Sequence, residues 1–205
     1  LQDRHLAIQC SKFEQLSKLS LMNYANNNFL KNSITEYKKL ITQINLKELE
    51  NFAKKVIKIK KNKKKILIFG NGAGAAISSH FASDLAKTLK IKALSFDNSA
   101  HITCFANDYK FENWILETLK VYADKDDLII LLSASGNSKN IINAAKFCKN
   151  RKINFFSLSG FNSKNLLNKN SRNKFHIKSD KYNHIEVLQS IILLLTIDYV
   201  KNKTK

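Results

Sequence analysis

The stretch LLSASGNSKNI (131–141) gathers groups that bind anions. Ser133, Ser135 and Ser138 supply hydroxyls, and Gly136 lets the backbone fold around a ligand. An amphipathic helix pattern starts at about Asn137, so its free N-terminal amides and its dipole add to the same place. One Ser or Asn is enough to cap a helix. Three hydroxyls at the end of an apolar run suit a different task, holding a monophosphate without a lysine or a metal.

A second loop, FGNGAGAAISSHFASDL (69–85), carries Gly70, Gly72 and Gly74 and then opens a helix. Glycines permit a close backbone approach to a ligand, and the helix start offers amides to an anion. The spacing also resembles a dinucleotide fingerprint with Asp97 near the required acidic position, but the third small residue, Ala75, falls in a different spacing. A third stretch, FDNSAHITCFANDYKFENW (96–114), offers Asp97, Asn98, Ser99, Asn107 and Asp108 as partners for vicinal sugar hydroxyls, or as the caps of a loop and helix.

These loops need a frame. KILIFG (65–70), IKALSF (91–96), LIILLS (128–133) and INFFSLSG (153–160) are short apolar runs with a strand signature, and KFHIKSD (174–180) is a candidate fifth. Helical patterns lie between them. Strands apolar on both faces and alternating with helices predict a parallel sheet covered on both sides, an α/β three-layer sandwich. Residues 1–62 read as helical, with Ser33 and Glu36 as a capping box for one helix. Nothing in composition marks a linker, so 1–205 is expected to be one domain, with 1–62 a helical extension that packs an oligomer and 63–205 the core.

Net charge is +19, from 35 Lys and Arg against 16 Asp and Glu. The dense runs are KIKKNKKK (58–65) and the tail KNKTK (201–205); arginine, the preferred base reader, is rare. This reads as a solvated lysine surface rather than a nucleic-acid footprint. Cys10, Cys104 and Cys148 are too few and too scattered for a disulfide framework or a zinc knuckle, which fits a reducing cytosol. VLQSIILLLTIDYV (187–200) is shorter than a bilayer span and contains Gln189 and Asp198, so it is expected to be a core helix, with no membrane partner. His5, His101 and His176 have no partner legible in the sequence.

The three loops together resemble the sugar isomerase (SIS) domain family, and within it the bacterial phosphoheptose (sedoheptulose 7-phosphate) isomerases. GNGAGAAISSHFASDL resembles the family's GNGGSAAxxxHxxxEL, ANDYKFE its GNDYGFE, and SASGNSKNIINA its STSGNSxNVxxA. The resemblance implies a cytoplasmic homo-oligomer, a tetramer, with a central five-stranded parallel sheet and sites at subunit interfaces. It implies a phosphorylated sugar, a heptose phosphate, as ligand. Asn71, Gly72, Ser133, Ser135, Gly136 and Ser138 are then expected around phosphate or sugar, and Asp97 or Asn98 at a sugar hydroxyl.

Such isomerases move a proton between C1 and C2 of an open-chain sugar, which needs an acid/base and a polarising group. The family's His and Glu four apart become His80 and Asp84, and the Gln and His of its last helix become Glu186 and Leu194. Its first-loop serine becomes Gly74. Glu186 is therefore the expected base, with Asp84 or His80 as its partner. His80, Asp84, Glu186 and Gln189 are also expected as ligands of a carboxylate-rich zinc site. The alternative is a non-catalytic SIS module, a phosphosugar sensor or a protein-binding adaptor. Leu194 favours that alternative, and the retained carboxylates favour an enzyme.

Overall fold

The computed structural model describes residues 27–204. Residues 1–26, with His5, Cys10 and the start of the expected helical stretch, lie outside the described residues, as does Lys205. The described residues fall into two units that divide between Gln43 and Ile44. In the first, helix α1 runs from residue 27 to 42. Ser33 lies inside α1 and donates to the Phe29 carbonyl (2.9 Å), so the expected capping box with Glu36 does not form. Phe29, Leu30, Ile34 and Ile41 of α1 are exposed.

The second unit alternates helix and strand: α2 (Leu46–Lys61), β1 (Lys65–Phe69), α3 (Ala73–Leu89), β2 (Lys92–Ser95), α4 (Ser99–Tyr109), α5 (Trp114–Tyr122), β3 (Leu128–Ser133), α6 (Lys139–Arg151), β4 (Asn154–Ser159), α7 (Leu166–Asn170), β5 (Lys174–His176) and α8 (Tyr182–Lys203). The five strands form one parallel sheet in the order β2-β1-β3-β4-β5. All five expected strands are present. This unit begins at Ile44 and includes α2, whose Phe52, Ala53 and Val56 are buried. Two helices have no pattern of their own in the sequence reading: α4, in the stretch read as sugar partners or as the caps of a loop and helix, and the short α7.

Alternation along the strands assigns the faces. Leu67, Phe69, Ile129, Leu131 and Phe155 pack with Trp114, Ile115 and Leu119 of α5 and Ile141, Ala144 and Ala145 of α6. The opposite face carries α2, α3 and α8. There Phe52 of α2 packs against Phe156 (ring centroids 4.5 Å apart) and Phe175 (6.5 Å). Helix α8 has 22 residues and is long and apolar enough by composition to cross a membrane, but half of that window is buried inside the fold. It is the core helix that the sequence led us to expect.

At the amino ends of the strands one buried carboxylate ties β1 to β3. Asp127 is 1% exposed; it accepts from the backbone amides of Lys65 (3.1 Å) and Asp124 (2.7 Å) and pairs with the Lys65 ammonium (2.7 Å). Burial alone pulls the Lys65 pKa down, but Asp124 and Asp127 outweigh it and hold the pKa above the usual lysine range. A raised lysine pKa stabilises the fold fully at neutral pH and loses that effect only as pH rises through the raised value. Asp127→Ala strands two amides and a half-buried cation, so we expect a loss of about 2–4 kcal/mol, read as a fall in denaturation midpoint. Retention of wild-type stability in that variant contradicts this role.

Candidate phosphate and sugar site

The strand order places the site. β2 lies on one side of β1 and β3 on the other, so the chain leaving β1 and the chain leaving β3 turn to opposite faces and open a crevice between them. The β1 exit is tight because α3 starts almost on top of the strand end. A Cβ on Gly70 would sit 2.5 Å from the carbonyl carbon and oxygen of Gly74, so no other residue fits there. Gly72 caps α3 from the rim and is exposed.

The β3 exit folds back on itself. Gly136 has φ +67°, and its amide donates to both the carbonyl (3.1 Å) and the hydroxyl (3.1 Å) of Ser133. The Ser135 hydroxyl accepts the Asn137 amide (3.2 Å). Ser138 is the N-cap residue of α6 but spends no hydroxyl bond on capping; its Oγ lies 3.0 Å from the Ser133 Oγ. Among the described residues no hydrogen bond occupies the amides of Ser138, Lys139 and Asn140, the orphan donors of a helix start. The two loops are locked together by reciprocal amides: Asn71 donates to Asn140 (3.0 Å) and Asn140 donates to Asn71 (2.8 Å). The Asn140 side-chain carbonyl oxygen also accepts from the Ile141 amide (3.0 Å), whereas Asn71 keeps one further N–H and one lone pair, so Asn71 still has a hand for a ligand.

Between the loops and α8 lies a cavity of about 130 Å³, lined by Asn71, Gly74, Leu132, Ser133, Ala134, Ser135, Ser138, Tyr182, Glu186 and Gln189. Tyr182, Glu186 and Gln189 stand at i, i+4 and i+7, one stripe of α8. Gln189 is buried and donates to the Leu158 carbonyl (2.9 Å), which fixes its amide. Among the described residues no hydrogen bond or ion pair occupies the Glu186 carboxylate, which is half-buried. The volume is below that of sites for drug-sized ligands. It suits a phosphoryl group and the atoms next to it, with the remainder of a sugar at the mouth.

The structure brings Asn71, Ser133, Ser135, Ser138, Glu186 and Gln189 to one cavity. Gly136 shapes that cavity from behind without lining it. Asp97 and Asn98 stand apart, at the end of β2 on the far side of β1. Asp97 accepts from the Ser95 hydroxyl (2.8 Å), and the Asn98 side chain caps α4 by accepting from Ala100 and His101. His80 and Asp84 pair with each other (3.3 Å) on the outer face of α3, away from the buried stripe of Gly74, Ser78, Phe81 and Leu85. Of the four residues expected at a zinc site, Glu186 and Gln189 line the cavity, and His80 and Asp84 do not. Among the described residues no three His, Cys, Asp or Glu groups converge on a metal position. Leu194 also lies off the cavity: α8 turns it toward the outer stripe of Val187, Ile191 and Leu195.

Three contributors escaped the sequence reading. Tyr182 lines the cavity from the first turn of α8, and its spacing of four from Glu186 was the available signal. Asn140 sits inside the serine motif itself, and Asn165 supports that motif from another loop. Asn165 is 4% exposed, donates to the Ser159 hydroxyl (3.0 Å) and the Gly160 carbonyl (3.1 Å), and accepts from the Asn168 amide (2.8 Å). His101, unpartnered in the sequence, lies 2.8 Å from the Thr118 hydroxyl, and its burial lowers its pKa. Burial likewise pushes the Cys148 thiol up to about 12, which leaves it inert.

Comparison with known proteins bears on the family and the fold. The family model described as "SIS domain" matches residues 28–160. Phosphoheptose isomerase 2 of Campylobacter jejuni is 35% identical over 154 residues, covering 72% of this chain and 74% of the relative. The phosphoheptose isomerase of Campylobacter concisus is 36% identical over 140 residues, covering 64% of this chain and 74% of the relative. Among solved structures, the phosphoheptose isomerase of Neisseria gonorrhoeae superposes with a TM-score of 0.78 at 20% identity, over 85% of this chain and 98% of that one; this likeness bears on the fold alone.

The serine loop makes a direct prediction. A Cβ on Gly136 would lie 2.1 Å from Asn165 Cγ, on a backbone that only glycine adopts easily. We expect Gly136→Ala to abolish the thermal stabilisation that inorganic phosphate gives the wild type. Ser138→Ala should keep the fold and weaken phosphate binding by about 10–100-fold, the worth of one hydrogen bond to a charged group. Undiminished phosphate binding in Ser138→Ala contradicts the assignment.

Proposed function

Because the chain belongs to the SIS domain family, we propose that it is a phosphosugar isomerase of the phosphoheptose isomerase type, interconverting an aldose and a ketose phosphate. The observation that carries this reading is that the Glu186 carboxylate shares one cavity with the hydroxyls of Ser133, Ser135 and Ser138. An anion-binding loop and a free carboxylate, side by side, are what a proton transfer on a phosphorylated sugar requires.

The serine hydroxyls and the α6 amides hold the phosphoryl group. Glu186 then takes the C2 proton of the open-chain aldose as the C1 carbonyl oxygen gains a proton, giving the enediol. The proton returns at C1 as the O2 hydroxyl loses its own, giving the ketose. No step is routed through zinc, since among the described residues no three His, Cys, Asp or Glu groups converge on a metal position.

A homotetramer in the cytoplasm belongs to the same reading. The exposed stripe of Val187 and Leu195 on α8 supports it, being unusual for a helix that otherwise packs a core. So does the resemblance to a family with interfacial sites. In such an assembly the outward His80–Asp84 pair is available to a neighbouring copy.

A second reading, a phosphosugar sensor or adaptor without turnover, is favoured by Leu194 and by the distance of His80 and Asp84 from the cavity. One experiment separates the two. Incubating the protein with sedoheptulose 7-phosphate and other ketose phosphates in deuterated water should place deuterium on C1 or C2. Glu186→Gln should reduce that exchange by about 10²–10⁴-fold, the usual worth of a general acid/base. Phosphosugar binding without any exchange supports the sensor instead.

A further inference from the structure

Tyr182 is the cavity residue that the assignment above leaves without a task. Along the α8 stripe exposure rises from Gln189 (1%) through half-buried Glu186 to Tyr182 (56%), so the helix runs from the floor of the cavity to its mouth. The Tyr182 ring does not hang free. It packs on Phe161 with ring centroids 4.9 Å apart and planes at 60°.

Phe161 itself is held in an uncommon conformation. Its φ is +54°, a region that a bulky residue enters only when its surroundings demand it. The demand is visible in a chain of backbone bonds. Gly160 donates to Ala134 of the serine loop (2.8 Å), and Phe161 donates to Ser179 (2.7 Å), just before α8 begins. The same segment thus fixes the serine loop, Phe161 and the start of α8 relative to one another, with Tyr182 facing the cavity.

We propose that Tyr182, braced by Phe161, is a specificity-determining residue: its ring packs against the C–H face of the sugar's carbon chain where that chain leaves the phosphoryl group. The ligand class this favours is an open-chain ketose phosphate of five to seven carbons, in preference to phosphate alone. The inference rests on the reading of this cavity as a phosphosugar site and adds the wall that recognises the sugar part. An aromatic ring suits the task because the C–H face of a polyol is its apolar side, while its hydroxyls stay free for Glu186 and water.

The test measures binding by calorimetry for inorganic phosphate, ribulose 5-phosphate, fructose 6-phosphate and sedoheptulose 7-phosphate. The side chain is mostly exposed, so the variants should fold. In Tyr182→Ala we expect phosphate affinity within twofold of wild type and ketose phosphate affinity lowered about tenfold. Tyr182→Phe should retain ketose phosphate affinity within about threefold, because the ring makes the contact. Phe161→Leu should give a partial loss for the sugars alone.

An unchanged ketose phosphate affinity in Tyr182→Ala overturns the proposal, as does an equal loss for phosphate and sugars. A wild type that binds phosphate as tightly as it binds every ketose phosphate overturns it too, while leaving the phosphate site standing. Failure of the wild type to bind any of the four ligands removes the phosphosugar reading itself, and the wall with it.

Discussion

Under the proposed function, a phosphoryl dianion bound between these strand ends is held by neutral donors of this chain. The chain carries 35 lysines and arginines, yet none of them is among the described residues that line the cavity. Everything at the site follows from that constraint. Hydroxyls and amides must converge, because each contributes less than a formal charge. They must also be prearranged, because a loose loop would lose the gain to ordering entropy. The basic surface remains a separate property that raises the local concentration of anions by its field.

Prearrangement comes from contacts one layer behind the hydroxyls. Gly136 fits only because it has no Cβ, and the space it leaves is filled by Asn165, itself bound to Ser159 and Gly160. The Asn71–Asn140 pair joins the loop after β1 to the loop after β3, so neither can drift alone. At the other end of the same two strands, Asp127 joins their starts. The register of β1 against β3, with Phe69 opposite Leu131, is thus fixed at both ends by buried polar groups.

How much of this was legible beforehand depended on whether the signal was local. Apolar runs ending in Gly or Ser identified all five strands, and the motif SASGNSKN gave the serine loop residue by residue. Asp97 and Asn98 read equally as sugar partners or as caps, because polar residues at a strand end look alike in sequence. The strand order, which sets β2 apart from β3, decides their place, and the Asn98 side chain takes the capping alternative. His80 and Asp84 were rightly put on one helical face, but which face looks inward depends on where α3 packs, and that is a tertiary fact. Ser33 shows the same limit: a capping box pattern inside a helix that starts earlier has no end to cap. Asn165 and Phe161 were invisible, since their effect is exerted across loops distant in sequence.

The central claim, that neutral donors of the serine loop hold the phosphoryl group, is tested most directly by following backbone amide resonances while inorganic phosphate and then sedoheptulose 7-phosphate are added. The account predicts that the largest shifts fall on Ser135 to Asn140, at the start of α6, with Gly72 and Tyr182 responding only to the sugar phosphate. Shifts spread over the lysine-rich surface, with residues 135–140 unmoved by either ligand, would contradict it.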